Sequence, residues 1–266
     1  MYRELVNNAT KTYPFLIEHT DVRYIPHFHM ETELVYVLEG ELEFTLGTQS
    51  YIIKKGDICV ITPGLIHNLY THTHSSTFVM KLYPIVDLGR IRLKDSIISR
   101  GAKSYDIICS CIKEIIKENR EKFPAHELAV NICAEKLYLI ILRELEHYVV
   151  DSKIQVKSNN ENDFLSSVNE FLEEKYAEDF SLGDISEYFN YTRSYFCRIF
   201  KKITGNSFWE YYTMFRLEKA GEMIKGSPKE NFTVIANKTG FKNVRSFNQA
   251  FKEYYRCTPS EYKKMM

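Results

Sequence analysis

Ser194-Tyr-Phe-Cys-Arg-Ile-Phe-Lys201 and Arg245-Ser-Phe-Asn-Gln-Ala-Phe-Lys252 are two copies of one pattern. Phe196, Phe200 and Lys201 recur as Phe247, Phe251 and Lys252 at an offset of 51 residues, and Tyr211 recurs as Tyr262. Upstream, Ile185 recurs as Ile235 at an offset of 50, so the second copy has one extra residue in its turn. Such self-similarity marks one supersecondary unit used twice. Phenylalanines four apart share a helix face. Each copy therefore buries one face of a helix and leaves the other outside.

Helix grammar surrounds both copies. Ser181 caps a short helix from about Leu182 to Phe189, with Asp184 at the box position. Asn190-Tyr191 turns, and Thr192 caps a second helix to about Lys202. In the second copy, Thr233 caps a helix to about Lys238, Gly240 supplies a left-handed turn, and Asn243 caps a helix to about Tyr254. Thr258-Pro259-Ser260-Glu261 opens a closing helix as a capping box with Pro at the first helical position. Between the copies, Ser207 to Lys225 reads as one helix stopped by Gly226 and Pro228. Its 19 residues span about 28 Å. That suits a spacer between elements about 34 Å apart, the repeat of successive major grooves.

This half resembles the DNA-binding domain of AraC/XylS-type transcription regulators. The resemblance rests on Leu182-x-x-Ile185, Phe196-x-Arg198-x-Phe200-Lys201-Lys202-x-Thr204-Gly205, Arg216-Leu217-x-x-Ala220, Gly240-Phe241, Ser246-Phe247-x-x-x-Phe251-Lys252 and Thr258-Pro259-x-x-Tyr262. It covers about 100 residues in one order. One departure is Arg256, which stands where the family commonly has Gly. The resemblance implies that helices 192–202 and 243–254 enter DNA grooves. Helical phase then turns Arg193, Ser194, Cys197, Arg198 and Lys201 outward from the first, and Val244, Arg245, Ser246, Asn248 and Gln249 from the second. Arg pairs with guanine, and Asn or Gln with adenine. Lys201, Lys202, Lys242 and Lys252 suit phosphates, and Asn243 joins the DNA-binding set.

The N-terminal residues change period. Leu34–Leu38 is a continuous apolar run, Glu41–Leu46 alternates, and Tyr51–Ile53, Ile58–Ile61 and Thr77–Met80 follow between Gly- and Pro-containing turns. Short strands so spaced predict a barrel or sandwich. His27-x-His29-x-x-x-Glu33, then Gly40, then Gly56-Asp57 leading to Pro63-Gly64-x-x-His67, resembles the cupin barrel. The second motif is one residue longer than the common form, with Pro and Gly adjacent. On an unbroken strand, His27, His29 and Glu33 share a face. His67 would complete a set of three histidines and a carboxylate, a habit of metal sites. Effector binding by His27, His29, Glu33, His67 and Tyr36 ranks first. A structural role ranks second and a structural divalent metal third, with no cofactor required. The alternatives are a cupin-type metal-dependent enzyme and a metal-sensing regulator built on His27, His29, Glu33 and His67. His72 and His74 read as a solvated strand edge. Sugars are the family's commonest effectors, and 19 Tyr and 17 Phe offer faces for stacking.

The fold expected is therefore multidomain: an N-terminal cupin-like β-barrel, two α-helices, and an all-α double helix-turn-helix domain. The barrel occupies 1–86. A helical dimerisation segment follows at 87–150, with stripes through Ile107, Ile108, Cys111, Ile112, Ile115 and Ile116, and through Leu137, Ile141, Leu145 and Tyr148. The polar stretch 151–162, DSKIQVKSNNEN, reads as a flexible linker, and 163–266 is the DNA-binding domain. The N-terminus lacks a secretory h-region and no apolar run spans a bilayer, so a cytoplasmic protein with no membrane partner is expected. Six cysteines without a CxxC pair read as reduced thiols. The partners expected are double-stranded DNA, a small-molecule effector, a second copy of the chain and, for an activator, RNA polymerase. Net charge is zero, 35 basic against 35 acidic groups. The total hides a division: residues 164–190 hold 1 basic and 7 acidic groups, residues 191–266 hold 15 and 6.

Overall fold

The computed structural model describes residues 14–82, 90–227 and 229–264. The N-terminal leader reading, the expected boundary at 86/87 and the Pro228 stop lie outside these residues. Two compact units form. Within the described residues one comprises 14–22 and 28–160, the other 23–27 and 161–264.

The first unit opens with β1 (Phe15–Thr20), β2 (Thr32–Leu46), β3 (Gln49–Lys54), β4 (Ile58–Ile61), β5 (His67–Tyr70), β6 (Ser75–Leu82), β7 (Ile91–Leu93) and β8 (Ile97–Ile98). Then come α1 (Tyr105–Glu121), α2 (His126–Glu144) and β9 (His147–Val149). All pairings are antiparallel. The order is β1-β6-β2-β4-β8, and β3 and β5 also pair with β2. From Thr32 to Gly40, β2 pairs with β6, with an irregularity between Val37 and Glu39, and its start also pairs with β4; from Glu41 to Leu46 it pairs with β3 and β5. Together the strands form the cupin-like antiparallel unit expected, although the pairings among the described residues do not themselves close a barrel.

Both faces of β2 are covered, because Thr32 to Val37 are all buried. Successive side chains point to opposite faces. Leu34 and Tyr36 join Val60, Phe78 and Met80 against Ile108, Ile112 and Ile115 of α1 and Leu137 and Ile141 of α2. Glu33 and Val35 take the other face. Ile107 stays exposed, off the stripe assigned to it. The second helix stops at Glu144, before Leu145 and Tyr148 of the stripe assigned to it. Leu145 is extended, and His147–Val149 pairs with β7, so Tyr148 is an exposed strand residue.

The stretch read as a linker is helical. A single helix, α3, runs from Ser152 to Lys175, and the division between the units, Asn160/Glu161, falls within it. Asp151 explains the start: its carboxylate accepts from the Lys153 amide at 2.8 Å. No Gly or Pro interrupts 151–175, and from Leu165 onward Val168, Phe171 and Leu172 bury one stripe.

The second unit continues with α4 (Leu182–Tyr188), α5 (Arg193–Thr204), α6 (Phe208–Gly226), α7 (Phe232–Lys238), α8 (Val244–Tyr255) and α9 (Pro259–Lys264). Ser181 with Asp184, and Ser207 with Glu210, form complete capping boxes. Thr258 and Glu261 exchange the same two bonds. The cap of α7 is Asn231, not Thr233: Asn231 Oδ1 accepts from the Thr233 amide at 2.8 Å. Gly240 takes φ +77, and a Cβ there would meet the Arg216 guanidinium at 2.5 Å. That guanidinium lies over the Tyr212 ring and donates to the carbonyls of Tyr176 and Glu178, closing the end of α3 onto α6. Arg256 takes the left-handed φ of 59 that Gly would adopt without steric cost.

Residues 23–27 belong to this unit although they precede β2 in sequence. The Ile25 amide donates to Glu218 Oε1 at 3.1 Å, the Tyr254 hydroxyl donates to the same oxygen at 3.1 Å, and Arg23 donates to the Tyr255 carbonyl. Burial pushes the Glu218 carboxyl up to about 7 despite these donors. The folded state then holds a proton that the unfolded state releases near pH 4.5. Stability falls as pH rises from about 4.5 to 7, by roughly 3 kcal/mol. Urea unfolding at pH 5 and 7.5 should show this decline, and Glu218→Gln should flatten it; an equal decline in the variant would rule Glu218 out as its source.

Candidate nucleic-acid interface and effector site

The outward faces of α5 and α8 follow from what the helices bury. Phe196, Phe200, Phe247 and Phe251 are each 0% exposed. They pack with Phe208 and Tyr211 of α6, Phe241 and Tyr262. Burial of one such ring stabilises by about 1.5–3 kcal/mol. With those rings inside, Arg193, Ser194, Arg198, Lys201 and Lys202 are exposed on α5, and Cys197 is half-buried. On and before α8, Lys242, Asn243, Arg245, Ser246, Asn248, Gln249 and Lys252 are exposed, and Val244 is half-buried.

Several of these side chains have partners already. Thr192 Oγ1 accepts from the Tyr195 amide at 3.3 Å, and Asn243 Oδ1 accepts from the Ser246 amide at 2.8 Å. Asn243 is thus committed to its cap. The Ser246 hydroxyl donates to the Asn243 carbonyl, and Gln249 Nε2 donates to Glu253 Oε1 at 3.1 Å. Lys202 Nζ lies 3.7 Å from Glu161. The Arg198 guanidinium sits 5.4 Å from the centre of the Tyr195 ring. Sequence reasoning missed Tyr195 and Tyr191, which are 40% and 37% exposed. The signal was present: Tyr195 precedes Arg198 by three residues, the spacing of helix neighbours.

The histidine set assembles by a different route from the one expected. His27 and His29 are not on a continuous strand; the chain between β1 and β2 is irregular there. Glu33 is the second residue of β2, opposite Ile61 and Lys81, and His67 begins β5. His29 Nε2 lies 2.6 Å and His67 Nε2 3.8 Å from Glu33 Oε2, and the two imidazoles meet edge to face. With His27, two residues upstream of His29, the ligand atoms lie within 4.8 Å of one another.

Glu33 is 2% exposed and His67 1%. Burial alone would raise the Glu33 carboxyl, but hydrogen bonds and charge from His29 and His67 outweigh it and hold it well below the usual range. Burial lowers His67, against the pull of Glu33. Each histidine places Nδ1 against a backbone carbonyl: His27 on Ile25 at 2.9 Å, His29 on Glu31 at 3.1 Å, His67 on Leu65 at 2.8 Å. That fixes the ring orientation and leaves Nε2 as the ligating nitrogen. The donor set fits a divalent transition metal, and equally a polar ligand whose hydroxyls bridge carboxylate and imidazole.

Tyr36 does not join this group. It lies an odd number of residues from Glu33 and so faces the helices, where Cys109 Sγ approaches its hydroxyl at 3.8 Å. His72 and His74 are exposed and bond Glu43 and Asp21, outside the set. The six cysteines are free thiols, four of them buried. Among the described residues no helix is long and apolar enough to cross a membrane.

Comparison with known proteins fits both halves. Residues 185–265 match the family described as a helix-turn-helix domain, and residues 17–83 the family described as a cupin domain. The Msm operon regulatory protein of Streptococcus mutans is 26% identical over 235 residues, covering 86% of this chain and 82% of its own. The raffinose operon transcriptional regulatory protein RafR of Pediococcus pentosaceus is 32% identical over 129 residues, 48% of this chain and 45% of its own. Among solved structures, ToxT from Vibrio cholerae with bound unsaturated fatty acid shares the fold, with a TM-score of 0.54 at 15% identity, over 97% of this chain and 98% of that one. Both relatives are named as regulatory proteins of operons. The matches to a cupin domain at residues 17–83 and a helix-turn-helix domain at residues 185–265 join in one chain the two domains expected from the AraC/XylS resemblance.

Proposed function

We propose that this chain is a transcription regulator that reads DNA with α5 and α8 and answers to a polyhydroxylated metabolite, a sugar or a close relative, held at His29, Glu33 and His67 with His27. The carrying observation for DNA is the pair of capped helices that bury phenylalanines and turn Arg, Asn, Gln and Lys outward. Each bidentate base contact discriminates by about 1–3 kcal/mol. Arg198→Ala and Arg245→Ala should each weaken specific binding roughly tenfold or more and relax base preference, measured by gel shift with random competitor DNA. If both variants bind specific and random DNA like the native chain, the groove assignment is wrong.

The effector reading is supported by a buried carboxylate flanked by imidazoles, which suits hydroxyl groups, and by the name of the raffinose operon relative. Metal sensing is the second reading, favoured by the convergent Nε2 atoms; a bound metal would supply Lewis acidity there. In a thermal-shift panel of sugars and divalent metals, a sugar should raise the melting temperature of metal-free protein, and Glu33→Gln should abolish the shift. Stoichiometric metal in the purified chain, lost in His29→Ala, with no response to any sugar, would favour the second reading.

A homodimer through α2 completes the proposal. Leu128, Ile132 and Leu139 are 61%, 58% and 44% exposed and fall on one stripe of that helix. Light scattering should find a dimer, and Ile132→Glu with Leu139→Glu should give a folded monomer; an unchanged mass would move the interface elsewhere. A cytoplasmic site of action, and contact with RNA polymerase where the protein activates, belong to the same reading.

A further inference from the structure

We propose that Tyr195 is a positioning residue for Arg198, and that an aromatic row behind it gives the first helix-turn-helix unit a mode of readout that the second lacks. The proposal rests on α5 entering a groove, as argued above.

The row starts in the core. Phe196, fully buried, packs against Phe164 with ring centres 5.9 Å apart. Phe164 meets Tyr191 at 6.2 Å, and Tyr191 meets Tyr195 edge to face at 4.8 Å. Tyr195 then carries the Arg198 guanidinium at 5.4 Å. Each ring is steadied by the one behind it, and the last two stand partly in water. Burial cannot explain rings so exposed. Their arrangement does one definable thing: it ends under an exposed arginine of α5, Arg198.

A guanidinium over a ring is attracted to the π-face and keeps its N–H edge free for planar acceptors. The guanine O6/N7 edge is such an acceptor. An arginine held this way before DNA arrives loses less conformational freedom on binding. The second unit has no equivalent. At the repeat offset, Tyr195 and Arg198 correspond to Ser246 and Gln249. The Ser246 hydroxyl is turned to the Asn243 carbonyl and Gln249 is tied to Glu253. The first unit thus reads through a stacked cation, and the second through amides and Arg245.

The test is selection of full-length protein against a randomised duplex pool of about 30 base pairs, long enough for two successive grooves. The proteins compared are the native chain, Arg198→Ala, Tyr195→Leu, Tyr195→Phe and the Arg198→Ala/Tyr195→Leu double variant, each first matched in melting temperature. Arg198→Ala should erase preference at one base position. Tyr195→Leu should weaken preference at that same position by about three- to tenfold and leave other positions intact. Tyr195→Phe, which keeps the ring, should behave like the native chain, and the double variant should be no worse than Arg198→Ala. If Arg198→Ala erases a position but Tyr195→Leu changes nothing, or its loss adds to that of Arg198→Ala, or Tyr195→Phe fails like Leu, the positioning role is overturned while the groove reading stands. If Arg198→Ala changes no position, both fall.

Discussion

The rotational phase of two helices governs the rest of the C-terminal unit. Phe196 and Phe200 on α5, and Phe247 and Phe251 on α8, are each fully withdrawn from water. Turning either helix by one residue would swing these rings out by about 100° and lose burial worth several kcal/mol. The outward side chains are therefore fixed by what lies inward. Helix α6 supplies the common surface, through Phe208 and Tyr211 toward α5. Arg216 then ties α6 to the end of α3 through two backbone carbonyls. A motif residue that could be taken for a DNA contact is in this way part of the frame.

The N-terminal unit obeys the two-residue period of a strand. Even with every residue from Thr32 to Val37 buried, parity separates Leu34 and Tyr36, which serve the helix-packed core, from Glu33, which serves the histidine set. Burying one carboxylate in such a sheet is costly unless partners meet it. His29, His67 and Lys81 all approach Glu33 Oε2 within 4 Å. The same compensation draws together side chains far apart in sequence.

Much of this was legible in the chain. The phenylalanine repeat, the capping boxes and Gly240 act through neighbours within a turn or two, so their meaning survives in one dimension. The histidine set was legible as residues but not as geometry, because His27 and His29 converge through an irregular connection rather than a strand. Tyr36 was misplaced by ignoring strand parity. The helix at 152–175 was missed because its first turns bury almost nothing: Ile154 and Val156 are 57% and 58% exposed, and only Asp151 and the absence of breakers announce it. The membership of residues 23–27 in the C-terminal unit rests on backbone and side-chain hydrogen bonds across some 200 residues, which no local pattern encodes.

The outward faces of α5 and α8 share a scaffold but not an alphabet. One presents Arg193, Ser194, Cys197 and Arg198; the other, at equivalent positions, presents Val244, Arg245, Asn248 and Gln249. On the proposed reading, the chain turned end for end on a duplex would offer each stretch of bases the wrong face. A single copy would then have a heading along DNA. Upstream and downstream are written into the protomer, and inverting a binding site beside a gene is a different instruction from moving it.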